Sequence, residues 1–75
     1  MSPRLPSVKA KEVIRCLKNL GFKEARQKGS HIVLQYADGR MTVVPNHGGE
    51  DIGRGLMRAI LREAEVSLEE FLKAW

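Results

Sequence analysis

The chain has 75 residues, 43% of them apolar, with 13 Lys/Arg against 9 Asp/Glu and a net charge of +4. That length suits one small domain, 1–75, with a thin core, and that apolar share excludes a disordered chain. No apolar run exceeds three or four residues, which excludes a membrane-spanning helix, and the opening MSPRLPSVKAK lacks the apolar stretch of a secretory signal.

The charge is uneven. Residues 1–40 hold nine Lys/Arg against three acids, and residues 41–75 hold four against six. A basic half points to a polyanionic partner, nucleic acid first, although many small soluble domains carry as much charge. Cys16 is the one cysteine. With no export signal the expected setting is the reducing cytoplasm, with Cys16 as a small apolar residue on a helix.

SPRLPS holds two of the three prolines, so residues 1–6 are expected to form a loose leader. SVKAKEVIRCLKNLGF is predicted as the first helix. Val13, Ile14, Leu17 and Leu20 form one apolar stripe, Ser7 is placed to cap its start, and Gly21 to end it. Lys11, Arg15 and Lys18 lie on the other side, as a solvated face or a stripe toward RNA. FKEARQ reads as a weak strand and SHIVLQY as a strong one. Asp38-Gly39 predicts a two-residue type I′ hairpin, since that turn needs positive φ at both central residues. MTVVP returns as the third strand, stopped by Pro45, and NHGGED follows as a loop.

IGRGLMRAILREA is the second long helix. Leu56, Ile60, Leu61 and Ala64 are its predicted buried stripe, and Arg54, Arg58 and Arg62 mark another face. In SLEEFLKAW, Ser67 and Glu70 predict a capping box. Leu68, Phe71, Leu72 and Trp75 are expected to close over the core. The order is α-β-β-β-α with a short C-terminal helix. It predicts an α+β two-layer sandwich with the long helices on one sheet face and the other face open. Double-stranded-RNA-binding domains share that order.

The candidates for chemistry are few. There is no P-loop and no GxGxxG, so no nucleotide cofactor is implied. GSH lacks the frame of a nucleophile elbow, which leaves Ser30 a turn residue. His31 and His47 have no cysteine near them in sequence, and four-ligand spacing is absent, a poor basis for a zinc site; Glu50 and Asp51 are neighbours in sequence, which rarely aims two carboxylates at one bond. What remains is histidine among cations, with Arg26 and Lys28 just before His31. An imidazole takes and gives protons near neutral pH, and cations hold a phosphodiester. This suits RNA cleavage without a metal. The plainer readings are that His31 is a strand-edge residue bonded to a carbonyl and His47 a solvated loop residue.

LKNLGF, RQKGSHIVLQYADGR, VVPNH and GLMRAILREAEVSLEEF together resemble the HicA-type, or YcfA-family, toxins over residues 5–73. These are the RNA-cleaving halves of HicA–HicB toxin–antitoxin systems. The resemblance implies the double-stranded-RNA-binding-like fold, mRNA as substrate, His31 as the catalytic histidine and His47 as the family's second histidine. It also implies a HicB-type antitoxin made alongside. Two positions depart from the family pattern. Lys9 stands where a Ser or Thr helix cap is common, so that the cap slips to Ser7, and Glu65 stands where glycine is common.

Strand alternation assigns Ile32, Leu34 and Tyr36 to the covered face and His31, Val33 and Gln35 to the open one. Gly29 and Ser30 leave room for a phosphate to approach. Lys23, Arg26 and Lys28 are expected to contact phosphates, with Arg54 and Arg58 as weaker contributors. Val33 is an apolar residue on an open face, which fits an antitoxin that covers His31. The free chain is expected to be monomeric. A non-catalytic RNA-binding module, or an interaction protein for an acidic partner, would share the fold and charge without needing His31.

Overall fold

A computed structural model describes residues 8–75. In chain order the elements are β1 (Val8–Lys9), α1 (Ala10–Asn19), β2 (Lys23–Lys28), β3 (His31–Gln35), β4 (Met41–Pro45), β5 (Asp51–Ile52), α2 (Arg54–Ala64) and α3 (Leu68–Lys73). The order β2-β3-β4 forms an antiparallel sheet, and β1 pairs with β5 in a second ladder. The architecture is α+β, with one sheet face covered by helices.

Helix α1 buries Ala10, Val13, Cys16 and Leu17, while Ile14 and Leu20 are only partly covered. The expected cap at Ser7 is corrected. Ser7 lies outside the described residues, and the N-cap position is Lys9, in extended conformation. The Glu12 carboxylate accepts the Lys9 N–H at 3.4 Å, the reciprocal half of a capping box, and its charge in the first turn favours the helix dipole. Val8 belongs to β1, not to the helix. It is paired with Ile52, and both are buried.

The end of α1 falls where Gly21 places it. Phe22 N–H reaches Leu17 C=O and Gly21 N–H reaches Lys18 C=O, each at 3.0 Å. That is a Schellman closure with Gly21 at φ 109°. A Cβ on Gly21 would lie 2.8 Å from the Tyr36 ring. Glycine is required here by both backbone and packing.

Ile32, Leu34, Thr42 and Val44 point to the covered face. There they join Val13, Leu17, Phe22, Met57, Ile60, Ala64 and Phe71 in one core. Both long helices therefore lie on the same side of the sheet. Met57, not Leu56, leads the buried stripe of α2, and Leu56 is exposed. Positions 57, 60, 61 and 64 keep helical spacing, and the stripe predicted from Leu56 starts one residue early. Thr42 is the buried polar residue of the sheet, and its hydroxyl donates to Glu63 at 2.9 Å. Cys16 is buried against the Phe71 carbonyl, and burial pushes its thiol up from the ordinary range.

The β3–β4 turn is also corrected. Tyr36 N–H donates to Arg40 C=O and Gly39 N–H to Tyr36 C=O, at 2.8 and 3.0 Å. Gly39 has positive φ and Asp38 does not. The loop is Ala37-Asp38-Gly39, a type I turn ended by a glycine bulge, and the type I′ form is excluded. Arg40 then fastens this hairpin to the helix layer. Its guanidinium ion-pairs with Asp38 at 2.8 Å, lies 4.5 Å from the centre of the Tyr36 ring, and donates to the carbonyls of Ala64 and Glu65 at the end of α2. Helix α3 opens on the expected Ser67–Glu70 box, with bonds of 3.1 and 3.2 Å. Those Ser67 contacts hold the Glu70 carboxyl below its usual range. Phe71 closes the core, whereas Trp75 is exposed rather than packed over it.

Candidate functional site

The open face is set by strand register. In antiparallel pairs, residues directly opposite each other project to the same side. Lys28, His31 and Pro45 therefore form one row across the three strands. Arg26, Val33 and Val43 form the next, and Lys23, Gln35 and Met41 the third. Strict alternation would put Lys23 and Arg26 on opposite faces, since they are three residues apart. The register shifts between Glu24 and Arg26, so Ala25 is the extra residue of a β-bulge. The bulge brings Lys23, Arg26 and Lys28 to one side in a single basic row, and leaves Glu24 turned toward α1, where it pairs with Lys18 at 2.7 Å.

That row carries free charge. Among the described residues, Lys9, Lys18 and Arg40 form ion pairs, and Lys23, Arg26 and Lys28 form none. The Lys11–Arg15–Lys18 stripe behaves differently. Lys18 is committed to Glu24, and Arg15 donates to the Trp75 carbonyl at 3.2 Å. Arg54 and Arg58 are exposed on α2, in the layer behind the sheet.

His31 opens β3 directly after a two-residue turn. Gly29 has φ 60°, and Ser30 is not in the positive region, which is the type II′ pattern. Nothing lies within 4 Å of where a Gly29 Cβ would be. The glycine serves the backbone, and the space above it is open. Ser30 C=O accepts the Asn46 N–H at 2.6 Å, extending the β3–β4 ladder past Pro45. This bond brings the loop after β4 alongside the turn before β3. His47 thereby comes next to His31, with ring centres 5.9 Å apart and planes at 85°. Both residues are exposed.

The His47 loop is held at several points. Gly48 and Gly49 both have positive φ, and Glu50 N–H returns to His47 C=O at 3.3 Å. Lys9 crosses from β1 to bond the Gly49 carbonyl and to pair with Asp51 at 2.8 Å. The β1–β5 ladder, absent from the sequence reading, is what secures this loop.

The basic row has an apolar neighbour. Val33 sits at the centre of the face, with Val43 beside it and Met41 one row along, and Met41 and Val43 are 48% and 38% exposed. Val33 was expected there, and Met41 and Val43 were not singled out. The alternation of MTVV could have revealed them, but it requires the polar Thr42 to point inward. The open face thus has a cationic strip on β2, an apolar strip on β4, and an imidazole pair at one end. Among the described residues, no three His, Cys, Asp or Glu side chains gather as a metal site would require. No helix among them is long and apolar enough to cross a membrane.

The fold is thus a small α+β domain whose open face carries cations beside two neighbouring imidazoles. Comparison with known proteins gives the family. Residues 10–66 match the family model described as HicA toxin of bacterial toxin-antitoxin. The chain is also 36% identical over 56 residues to a probable mRNA interferase HicA from Pseudomonas fluorescens (strain Pf0-1), spanning 75% of this chain and 92% of that protein. The chain belongs to the HicA toxin family.

Proposed function

We propose that this protein is the toxin of a type II toxin–antitoxin system and an endoribonuclease that cleaves mRNA in the cytoplasm, with His31 as general acid/base. Its Pseudomonas relative carries the name mRNA interferase. The observation that supports the reading best is the position of His31. It is exposed, fixed at a strand terminus, paired across the ladder with Lys28 and next to a second imidazole.

Cleavage of RNA by its own 2′-hydroxyl needs three things: a proton removed from that hydroxyl, a proton given to the departing 5′-oxygen, and positive charge near the phosphorane. Imidazole supplies proton transfer at neutral pH. Lys28 and Arg26 supply the charge, and the open space over Gly29 admits the phosphate. These groups suffice without a metal ion. The test is RNA incubated with wild type and with His31→Ala, each with excess chelator. Cleavage by wild type alone is the expected result. Cleavage that stops in chelator would refute the metal-free path. Equal cleavage by both proteins would remove His31 from the chemistry. Binding by both with cleavage by neither would favour an RNA-binding module.

A toxin of this kind needs restraint, and the open face suits an antitoxin of the HicB type. The Val33, Val43 and Met41 strip offers an apolar centre, and the basic row offers a rim that attracts acidic groups and speeds encounter. A partner seated there covers His31 and excludes RNA. Growth arrest on expressing the chain alone, relieved by the co-expressed antitoxin, is the expected outcome. A complex that leaves His31 open to RNA would end the occlusion model.

A further inference from the structure

Among the described residues, the two histidines come from separate segments and meet at one point of the open face. The Asn46 N–H to Ser30 C=O bond, next to the His31–Pro45 pair of the ladder, brings their segments side by side. We propose that His47 is a second catalytic residue and that His31 and His47 divide the base and acid roles of the cleavage between them. The proposal rests on the ribonuclease reading above and goes beyond it.

The geometry fits this division. Each imidazole must come within about 3 Å of the oxygen it serves. Rings centred 5.9 Å apart let one phosphodiester reach both. The planes stand at 85°, so the rings are not sealed face to face, and both residues are exposed. A solvated loop residue would need no anchorage, yet this loop is tied to β3 through Asn46, turned by Gly48-Gly49, and held from β1 by Lys9. Its position relative to His31 is built into the fold.

The chemistry balances. One neutral imidazole takes the 2′-hydroxyl proton as the 2′-oxygen bonds to phosphorus. The other, protonated, gives its proton to the 5′-oxygen as the phosphorus–oxygen bond breaks. The products are a 2′,3′-cyclic phosphate and a 5′-hydroxyl. One proton is taken and one is given, and no co-reactant is consumed.

The test uses a short RNA in which sulfur replaces the bridging 5′-oxygen at one linkage. A thiolate departs without a proton, so this substrate needs the base but not the acid. Wild type, His31→Ala and His47→Ala are assayed on it and on ordinary RNA. Each variant should lose a hundred-fold or more on ordinary RNA. One of them should recover to near the wild-type rate on the sulfur substrate, and the other should not. Rescue of either one alone supports the division and assigns the acid. Rescue of both or of neither overturns it, as does His47→Ala within a few-fold of wild type on ordinary RNA. His47→Asn, which keeps a polar loop residue, should lose as much as His47→Ala. Activity retained by His47→Asn would make His47 a positioning residue and overturn the proposal. A wild type that leaves both substrates intact refutes the ribonuclease reading itself, a result distinct from these.

Discussion

Strand β3 serves two surfaces with alternate residues, and the two differ in kind. Ile32 and Leu34 are 4% and 0% exposed and pack beneath α1 and α2. His31 and Gln35, one step away on the same strand, are exposed, and Val33 is half covered. On the inner surface, buried apolar area does the work, at about 25 cal/mol per Å² removed from water. On the outer surface the same backbone supplies only rigidity, and the side chains are free for charge and proton transfer. A side chain on a packed strand is held more firmly than one on a free loop. The residues that stabilise this strand and the residue proposed to act on RNA therefore lie on opposite faces, one position apart.

Alanine substitutions at two neighbouring residues should separate the two faces. His31→Ala should lower RNA cleavage by about 10²–10⁴-fold with the thermal midpoint almost unmoved, because the side chain is exposed. Ile32→Ala, the next residue, should cost about 2–5 kcal/mol of stability while cleavage per folded molecule stays near wild type. Leu17→Ala, in the helix above, should cost the same order, since Leu17 is fully buried. Denaturant unfolding monitored alongside cleavage reads all three. A large loss of stability in His31→Ala would mean that the two faces are not separable.

Arg40 sharpens the contrast from the inner side. It belongs to the basic half, yet its charge is spent on Asp38, the Tyr36 ring and the carbonyls that end α2. Arg40→Ala should destabilise by about 2 kcal/mol, the range for charged hydrogen bonds plus a cation–π contact, and leave the salt dependence of RNA binding unchanged. Arg40→Lys should recover little, because a single ammonium cannot reproduce the planar fork. Lys28→Ala should do the reverse. Its stability cost should be near zero, and the slope of log affinity against log salt for single-stranded RNA should fall by about 0.7 for the lost phosphate contact. A Lys28 variant with an unchanged slope would move that phosphate contact elsewhere on the face.

The same two surfaces show what the sequence discloses. The C-terminal end of α1 at Gly21, the Ser67–Glu70 box and the alternation of β3 are local patterns, and each was legible. Features that depend on distant partners were not. Val8 looked helical because its partner Ile52 lies far along the chain. The bulge at Ala25 leaves no mark in KEARQ, though it decides that Lys23 joins Arg26 and Lys28. In α2, Leu56 and Met57 are both apolar, and only the packed neighbours choose between them. Asp38-Gly39 resembled a two-residue turn until the pairing of Tyr36 with Arg40 fixed a third loop residue. At the site, the outward aim of His31 follows from alternation. Its contact with His47 follows from the β3–β4 register, which no local pattern carries.

The smallest effect concerns the inner layer alone. Helices α1 and α2 end in the same Schellman geometry, with Val66 N–H on Leu61 C=O at 3.0 Å and Glu65 N–H on Arg62 C=O at 3.2 Å. Helix α1 places Gly21 at the left-handed position, whereas α2 places Glu65 there, at φ 54°. A residue with a Cβ held in that region costs about 1–2 kcal/mol, and a negative side chain at a helix C-terminus opposes the helix dipole. Glycine removes both penalties but makes the unfolded chain more flexible by about 0.5–1 kcal/mol. The balance favours the substitution. Glu65→Gly should stabilise the protein by about 0.5–1 kcal/mol, which for a chain of this size raises the thermal midpoint by a few degrees. Glu65 is exposed and lies at the end of α2, in the layer behind the sheet, so cleavage by folded protein should not change. A midpoint that falls would show that Glu65 makes compensating contacts. A midpoint that rises together with altered cleavage would show that the helix layer and the open face are coupled, and would end the separation of the two faces of β3.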